Sequence, residues 1–394
     1  MGDRTRVLII VAGIAIGEPL GGAERFGIEL ARNLDQNKIE PILCAFWHHG
    51  VPSERYWVDS LTKAGVEVFF AAEWERGPGG LVKYANGLGN ITARFQDRPV
   101  DVIHSTIQIG SIAALLLKRP LHAQARIRTA LAGKEWGGTL LGFLCRQVFT
   151  QWVFPAVFDV EVGVSRAKIS DLDHRLGARL ARKKARLIYN GISLDQFVES
   201  GSAVDKRLEL GLPLDALVVG SIGRLQKEKG YSIFLDAAAI VKTQMPCVKF
   251  PIVGDGKQAA YLRQKADRLG LSDIVLFVGA RQDVAPLFRM MDLFVLPSLW
   301  EGLPTVVMEG MACGVPIVAT DIPGTRELVA AGQTGWLAKP GDPESLAACI
   351  LEALSNPAKR KRVATTALRE VVPHFSMQGI ADQYEQVYSE LTRA

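Results

Sequence analysis

Short apolar runs alternate with helical patterns along nearly the whole of this 394-residue chain. Alternation of that kind specifies parallel sheets covered by helices on both faces. In the first half the predicted strands are Val7–Ala12, Pro41–Phe46, Val66–Phe70, Val100–His104, Arg126–Thr129, Val160–Val164 and Leu187–Tyr189. Helical patterns fill the gaps, among them Ala23–Leu34, Glu54–Ala64 and Ser111–Leu117. A polar stretch from Asn190 to Leu214, with Gly201, Gly211 and Pro213, breaks the series. The alternation then resumes with strands at Leu217–Ile222, Val248–Val253, Ile274–Val278, Leu293–Leu296 and Ile317–Ala319. Between and after them lie helical patterns at Tyr231–Lys242, Lys257–Leu269, Val284–Met291, Glu344–Leu354, Pro357–Val371 and Met377–Thr392. The length suits two or three domains, each with its own core.

The strongest chemical signal lies between the last two predicted strands, in PSLWEGLPTVVMEGMACGVPIVAT, Pro297 to Thr320. Glu301 falls in the loop and Glu309 in the helical pattern that follows, with seven residues between them. Either acid alone reads as a helix cap or a solvated charge. As a pair in apolar, glycine-rich sequence they need partners, because an unpaired buried carboxylate is costly. At ~1.5 Å rise per helical residue both can face one crevice at the C-terminal edge of a parallel sheet, where open α/β sheets bind ligands.

Two further loops follow predicted strands. GRLQKEKG, Gly223 to Gly230, offers Arg224 as a planar fork and Lys229 as a point charge, a combination suited to a diphosphate. Its plainer reading is a solvated charged loop. VGDGKQAA contains a literal G-x-G-x-x-A at Gly254, Gly256 and Ala259, but no acid closes the next strand, so a dinucleotide-binding reading fails. Asp171 and Asp173 form a D-x-D within a helical pattern and read as solvated surface. In the first half, Gly21-Gly22-Ala23-Glu24 turns from a strand into a helix N-terminus, where backbone amides can approach a phosphate or sugar. His104 ends a predicted strand at the ligand edge.

These motifs taken together resemble the retaining GT-B glycosyltransferases of family 4. The resemblance rests on GGAE at Gly21–Glu24, YNGI at Tyr189–Ile192, GRLQKEKG, VGDG at Val253–Gly256 and the Glu301/Glu309 pair, and it is denser in the second half. It implies an α/β fold of two doubly wound, Rossmann-like domains facing each other across a cleft. The expected limits are 1–195 for an acceptor-binding domain and 196–375 for a nucleotide-sugar-binding domain. A final helix, 376–394, would cross back to the first domain.

The implied activity is transfer of a sugar from a nucleotide-diphosphate sugar to an acceptor hydroxyl, with retention at the anomeric carbon. The acceptor would be a glycan or a lipid-linked sugar. Glu301, Arg224 and Lys229 would carry catalysis. Gly22, Gly254, Leu303, Pro304, Thr305 and Glu309 would line the donor site with them, Glu309 holding the ribose. The sequence departs from the family where Ala130 and Leu131 replace an expected histidine, which leaves Glu24, His104, Lys134 and Glu135 as acceptor-side candidates. No metal is expected. An epimerase or phosphorylase of the same fold, or a non-catalytic nucleotide-sugar-binding module, is the alternative.

Composition adds bounds. A net charge of +5 is mildly basic, compatible with phosphorylated ligands or an anionic membrane surface and too small for a nucleic-acid binder. Five scattered cysteines (Cys44, Cys145, Cys247, Cys313, Cys349) form no framework and read as reduced thiols in a cytoplasmic protein. Arg4, Arg6 and VLIIVAGIAIG imitate a signal peptide, but the segment reads better as a first buried strand. The apolar Thr139–Val164, expected as a long helix ending before Pro155 and then a strand, and the basic His174–Arg186 suggest a peripheral contact with the inner face of the cytoplasmic membrane.

Overall fold

The computed structural model describes residues 4–14, 22–74, 80–131, 146–181, 185–198 and 202–393. The chain forms two compact units, 1–191 with 377–394, and 192–376. The expected limits lay after residues 195 and 375.

The first unit holds a seven-stranded parallel sheet of β1 Thr5–Val11, β2 Ile39–His48, β3 Glu67–Glu73, β4 Val102–Ser105, β5 Ala125–Ala130, β6 Val160–Gly163 and β7 Arg186–Leu187. Their order is β3-β2-β1-β4-β5-β6-β7. The run that imitates a signal peptide contributes the central strand β1. Its continuous apolarity has a direct cause: Val7, Ile9 and Val11 enter one core, while Leu8 and Ile10 enter the core on the opposite face.

The last helix, Met377–Thr392, belongs to this unit rather than to the one it follows in sequence. Met377, Ile380, Ala381, Tyr384, Val387 and Tyr388 are buried in the same core as β1. These positions recur every three or four residues, the spacing of one helix face.

The second unit holds six parallel strands, β8 Val219–Ile222, β9 Phe250–Val253, β10 Val275–Gly279, β11 Leu293–Leu296, β12 Ile317–Thr320 and β13 Trp336–Ala338. Their order is β10-β9-β8-β11-β12-β13, so chain direction reverses across the sheet between β8 and β11. In the first unit the reversal falls between β1 and β4. Such a switch point opens a crevice at the carboxyl ends of its two strands.

Two local expectations need correction. The helix through the apolar segment does not stop before Pro155: π-helical Arg146–Val153 runs into the helix Phe154–Val157. Proline is tolerated there because it occupies a first turn, where no amide donor is needed. Asp173 is not simply solvated, since its Oδ1 accepts a 2.8 Å bond from the Ala185 amide. The expected residues 139–145 and 182–184 lie outside those described. Among the described residues no helix is long and apolar enough to cross a membrane.

Candidate active site in the second unit

The loop after β8 is laid directly on the loop after β9. Gly223 N donates to Val253 O, Leu225 N to Asp255 O, and Gln258 N to Leu225 O, each at 2.9 Å. Gly254 has φ +135°, and a Cβ there would sit 2.0 Å from Gly223 O. Its glycine is therefore required by contact between the two loops, a stronger reason than access for a ligand. The loop ends at Gly230, φ +68°, where a Cβ would sit 1.9 Å from Pro297 O. Leu299 N also donates to Glu228 O at 2.8 Å, so the loops after β8 and β11 are joined by backbone.

That junction brings Lys229 and Glu301 together across the switch point. Lys229 Nζ lies 2.6 Å from Glu301 Oε1, and Ser298 Oγ donates to the same oxygen at 2.7 Å. Ser298 is itself fixed: wholly buried, it accepts at its carbonyl from Thr320 Oγ1, and Thr320 O accepts in turn from Thr325 Oγ1. The Lys229 and Glu301 side chains are 17% and 12% exposed, so the pair is screened less than a surface pair. Tyr231 is buried behind this edge, its hydroxyl 3.0 Å from the position of a Cβ on Gly223, and burial pushes its phenol pKa up.

Arg224 is exposed, and while its carbonyl accepts from the Gln226 amide at 2.8 Å, its side chain makes no bond to the described residues. Glu309 is 5% exposed on the helix Thr305–Ala312. Leu303 and Pro304 are buried just before that helix, whose N-cap, Pro304, supplies no side-chain acceptor. Its first amides keep donor capacity at the positive end of the helix dipole. Arg224, Lys229, Gly254, Glu301, Leu303, Pro304, Thr305 and Glu309 thus all lie in the second unit, on the loops after β8, β9 and β11 or the helix after β11.

The pairing of Lys229 with Glu301, the anchoring Ser298 and the supporting Tyr231 were not expected from sequence. Ser298 carries a readable signal, a hydroxyl three residues before an acid at a strand end, the spacing of a local side-chain turn.

The first-unit candidates fare differently. Gly22 and Glu24 lie in the first turn of the helix Gly22–Asn33, while Lys134 and Glu135 lie outside the described residues. His104 is corrected. It is wholly buried, with Nδ1 2.7 Å from Tyr388 Oη and Nε2 2.7 Å from Thr129 Oγ1. Tyr384 stacks on its ring at 5.1 Å and bonds Thr129 at 2.8 Å. Burial holds its pKa down at about 3, so the imidazole is neutral. His104 ties the last helix to the sheet and offers no face to an acceptor. Ala130 ends β5 in the core, and Leu131 packs against that core.

Residues 205–369 match the family described as glycosyl transferases group 1. The chain is 32% identical over 206 residues to the lipopolysaccharide core biosynthesis glycosyltransferase LpsE of Rhizobium meliloti, spanning 52% of this chain and 58% of that protein. Through its second half the chain is therefore similar to the group 1 glycosyltransferases. The chain is also 28% identical over 305 residues to the N-acetyl-alpha-D-glucosaminyl L-malate synthase of Bacillus anthracis, covering 76% of this chain and 77% of that one. Among solved structures it resembles Anabaena Alr3699/HepE in complex with UDP and glucose, with a TM-score of 0.79 at 24% identity over 98% of this chain and 100% of that one. That likeness establishes the two-domain GT-B fold.

Proposed function

We propose that this protein is a group 1 glycosyltransferase that moves a sugar from a nucleotide-diphosphate sugar to an acceptor hydroxyl in glycan or glycolipid biosynthesis, with retention of anomeric configuration. The observation that supports it most is the meeting of Lys229, Glu301 and an uncapped helix N-terminus at the β8/β11 switch point, within the segment that matches the family.

Arg224 and Lys229 supply positive charge to the departing diphosphate, and the amides at Leu303–Thr305 add donors to the same oxygens. Glu301 Oε2, which takes no bond from the described residues, accepts from a hydroxyl of the donor sugar. Glu309 holds the ribose, and Gly254 completes the donor site within the second unit. A double displacement needs a carboxylate on the sugar face opposite the leaving group. With Glu301 engaged by Lys229 and Ser298, we favour front-face transfer, in which the diphosphate helps to take the acceptor proton. Two cationic side chains stand where a divalent cation would otherwise neutralise the leaving group, so the reaction needs no metal.

The acceptor is assigned to the first unit, with Glu24, Lys134 and Glu135 the remaining candidates. Val148, Trp152 and Leu176 are large apolar side chains exposed on that unit. Arg175 is buried against Glu161, but with the exposed Arg179 and the basic sequence that follows they support peripheral docking on an anionic inner-membrane surface that presents a lipid-linked acceptor.

Incubation with a panel of nucleotide sugars and acceptors tests the reading. Acceptor-dependent release of nucleoside diphosphate, an anomerically retained product by NMR and turnover that survives exhaustive EDTA treatment are expected. Diphosphate release without any acceptor would instead favour an epimerase. An inverted product, or activity restored only by Mg²⁺, would overturn the mechanism.

A further inference from the structure

We infer that Glu301 sets how strongly the site prefers a nucleotide sugar over the bare nucleoside diphosphate left after transfer. The inference rests on the donor reading above and extends it from catalysis to product release.

The carboxylate is not free to move. Lys229 Nζ and Ser298 Oγ both bond Oε1, at 2.6 and 2.7 Å. Behind them stands the chain of hydroxyl-to-carbonyl bonds from Thr325 to Thr320 and from Thr320 to Ser298. The charge of Glu301 is thus fixed beside the ammonium that meets the diphosphate. Lys229 can neutralise one neighbouring negative charge fully, and Glu301 already claims part of it.

Donor and product differ at this point. In the nucleotide sugar each phosphate bears one negative charge. Once the sugar has left, the terminal phosphate titrates with a pKa of about 6 and carries roughly −1.5 to −2 at pH 7. The extra charge appears on the phosphate that bore the sugar, the group nearest to a carboxylate that touches the sugar. Like charges in a partly desolvated site repel, whereas a sugar hydroxyl in the same place donates to Oε2. Glu301 therefore favours the donor and disfavours the product.

The test uses the full chain. A thermal-shift panel of UDP, GDP and ADP first selects the diphosphate that the protein binds. Its affinity, and that of the matching nucleotide sugar, is then measured by calorimetry for wild type, Glu301→Gln and Lys229→Ala. Glutamine keeps the shape and the acceptor oxygen while removing the charge. At pH 8 Glu301→Gln should bind the diphosphate about tenfold more tightly, equivalent to about 1.4 kcal/mol. The nucleotide sugar should gain nothing. The gain should shrink at pH 5.5, where the terminal phosphate holds its second proton, a dependence that a merely structural role of Glu301 would not produce.

Ser298→Ala, which frees the carboxylate but keeps its charge, should give a smaller change of the same sign and serves if the glutamine variant does not fold. Weaker diphosphate binding in Lys229→Ala, together with unchanged or weaker binding in both other variants, overturns the inference and leaves the donor site standing. Unchanged binding in Lys229→Ala removes the donor assignment itself, and the inference with it.

Discussion

The two units carry the same kind of doubly wound sheet, yet they use the carboxyl edge of that sheet in opposite ways. In the second unit the polar side chains at the switch point, Lys229 and Glu301, bond each other and stay partly exposed. In the first unit His104, one residue from the end of β4, is wholly buried and holds a helix that arrives from the far end of the chain. A titratable residue at a strand end is thus no guide to chemistry by itself. What separates the two cases is whether the neighbours of that residue are loops or a packed helix.

The comparison can be broken most severely at Gly230. An alanine there meets both a left-handed backbone and the Pro297 carbonyl. The expected loss is about 2–5 kcal/mol, combining conformational strain with overpacking. Chemical denaturation should show the second unit unfolding early, with nucleotide binding lost and the first unit little changed.

His104→Ala should do the reverse. It leaves a cavity and strips partners from Tyr388 and Thr129, at a cost of about 2–4 kcal/mol. Denaturation followed through the first unit should move, while diphosphate binding by the second unit holds. A loss of diphosphate affinity as large as that in Lys229→Ala would mean that His104 is not confined to a structural role.

Arg224→Ala has a purely functional expectation. The side chain is exposed and makes no bond to the described residues, so its removal should leave the melting temperature within error. Donor and diphosphate affinity should fall by about 1.5–3 kcal/mol, the worth of a charge-assisted contact. Intact affinity would remove Arg224 from the site.

The smallest effect concerns pH. The pKa of His104 is about 3 in the folded chain against 6.5 as the ordinary value. Between those limits the unfolded state binds the extra proton, so stability is complete above about pH 6.5 and declines on acidification, with a slope of at most about 1.4 kcal/mol per pH unit. The part of this slope that belongs to His104 should vanish in His104→Phe, measured by denaturation midpoints from pH 7.5 to 5.

Much of this architecture was legible. Val7–Val11 of β1 and the whole of β11 are unbroken apolar runs because both faces of their sheets are covered, and the segments after β8 and β11 were readable as loops that follow strands. Tyr384 and Tyr388 share a helix face in the sequence itself. What could not be read depended on distant partners. Lys229 finds Glu301 72 residues away, and His104 finds Tyr388 284 residues away. Local periodicity holds no record of such meetings. The glycine at 254 was legible as a turn, but its cause, the carbonyl of Gly223, lies on another loop.

The placement of the final helix also sets an order of events during synthesis. Residues 192–376 form one uninterrupted stretch of chain, so the second unit can complete its core as soon as that stretch leaves the ribosome. The first unit cannot, although most of it is made earlier. Until residues 377–392 emerge, its sheet lacks Tyr384 and Tyr388, and His104 and Thr129 lack their partners. The half of the protein translated first is therefore the half that finishes folding last.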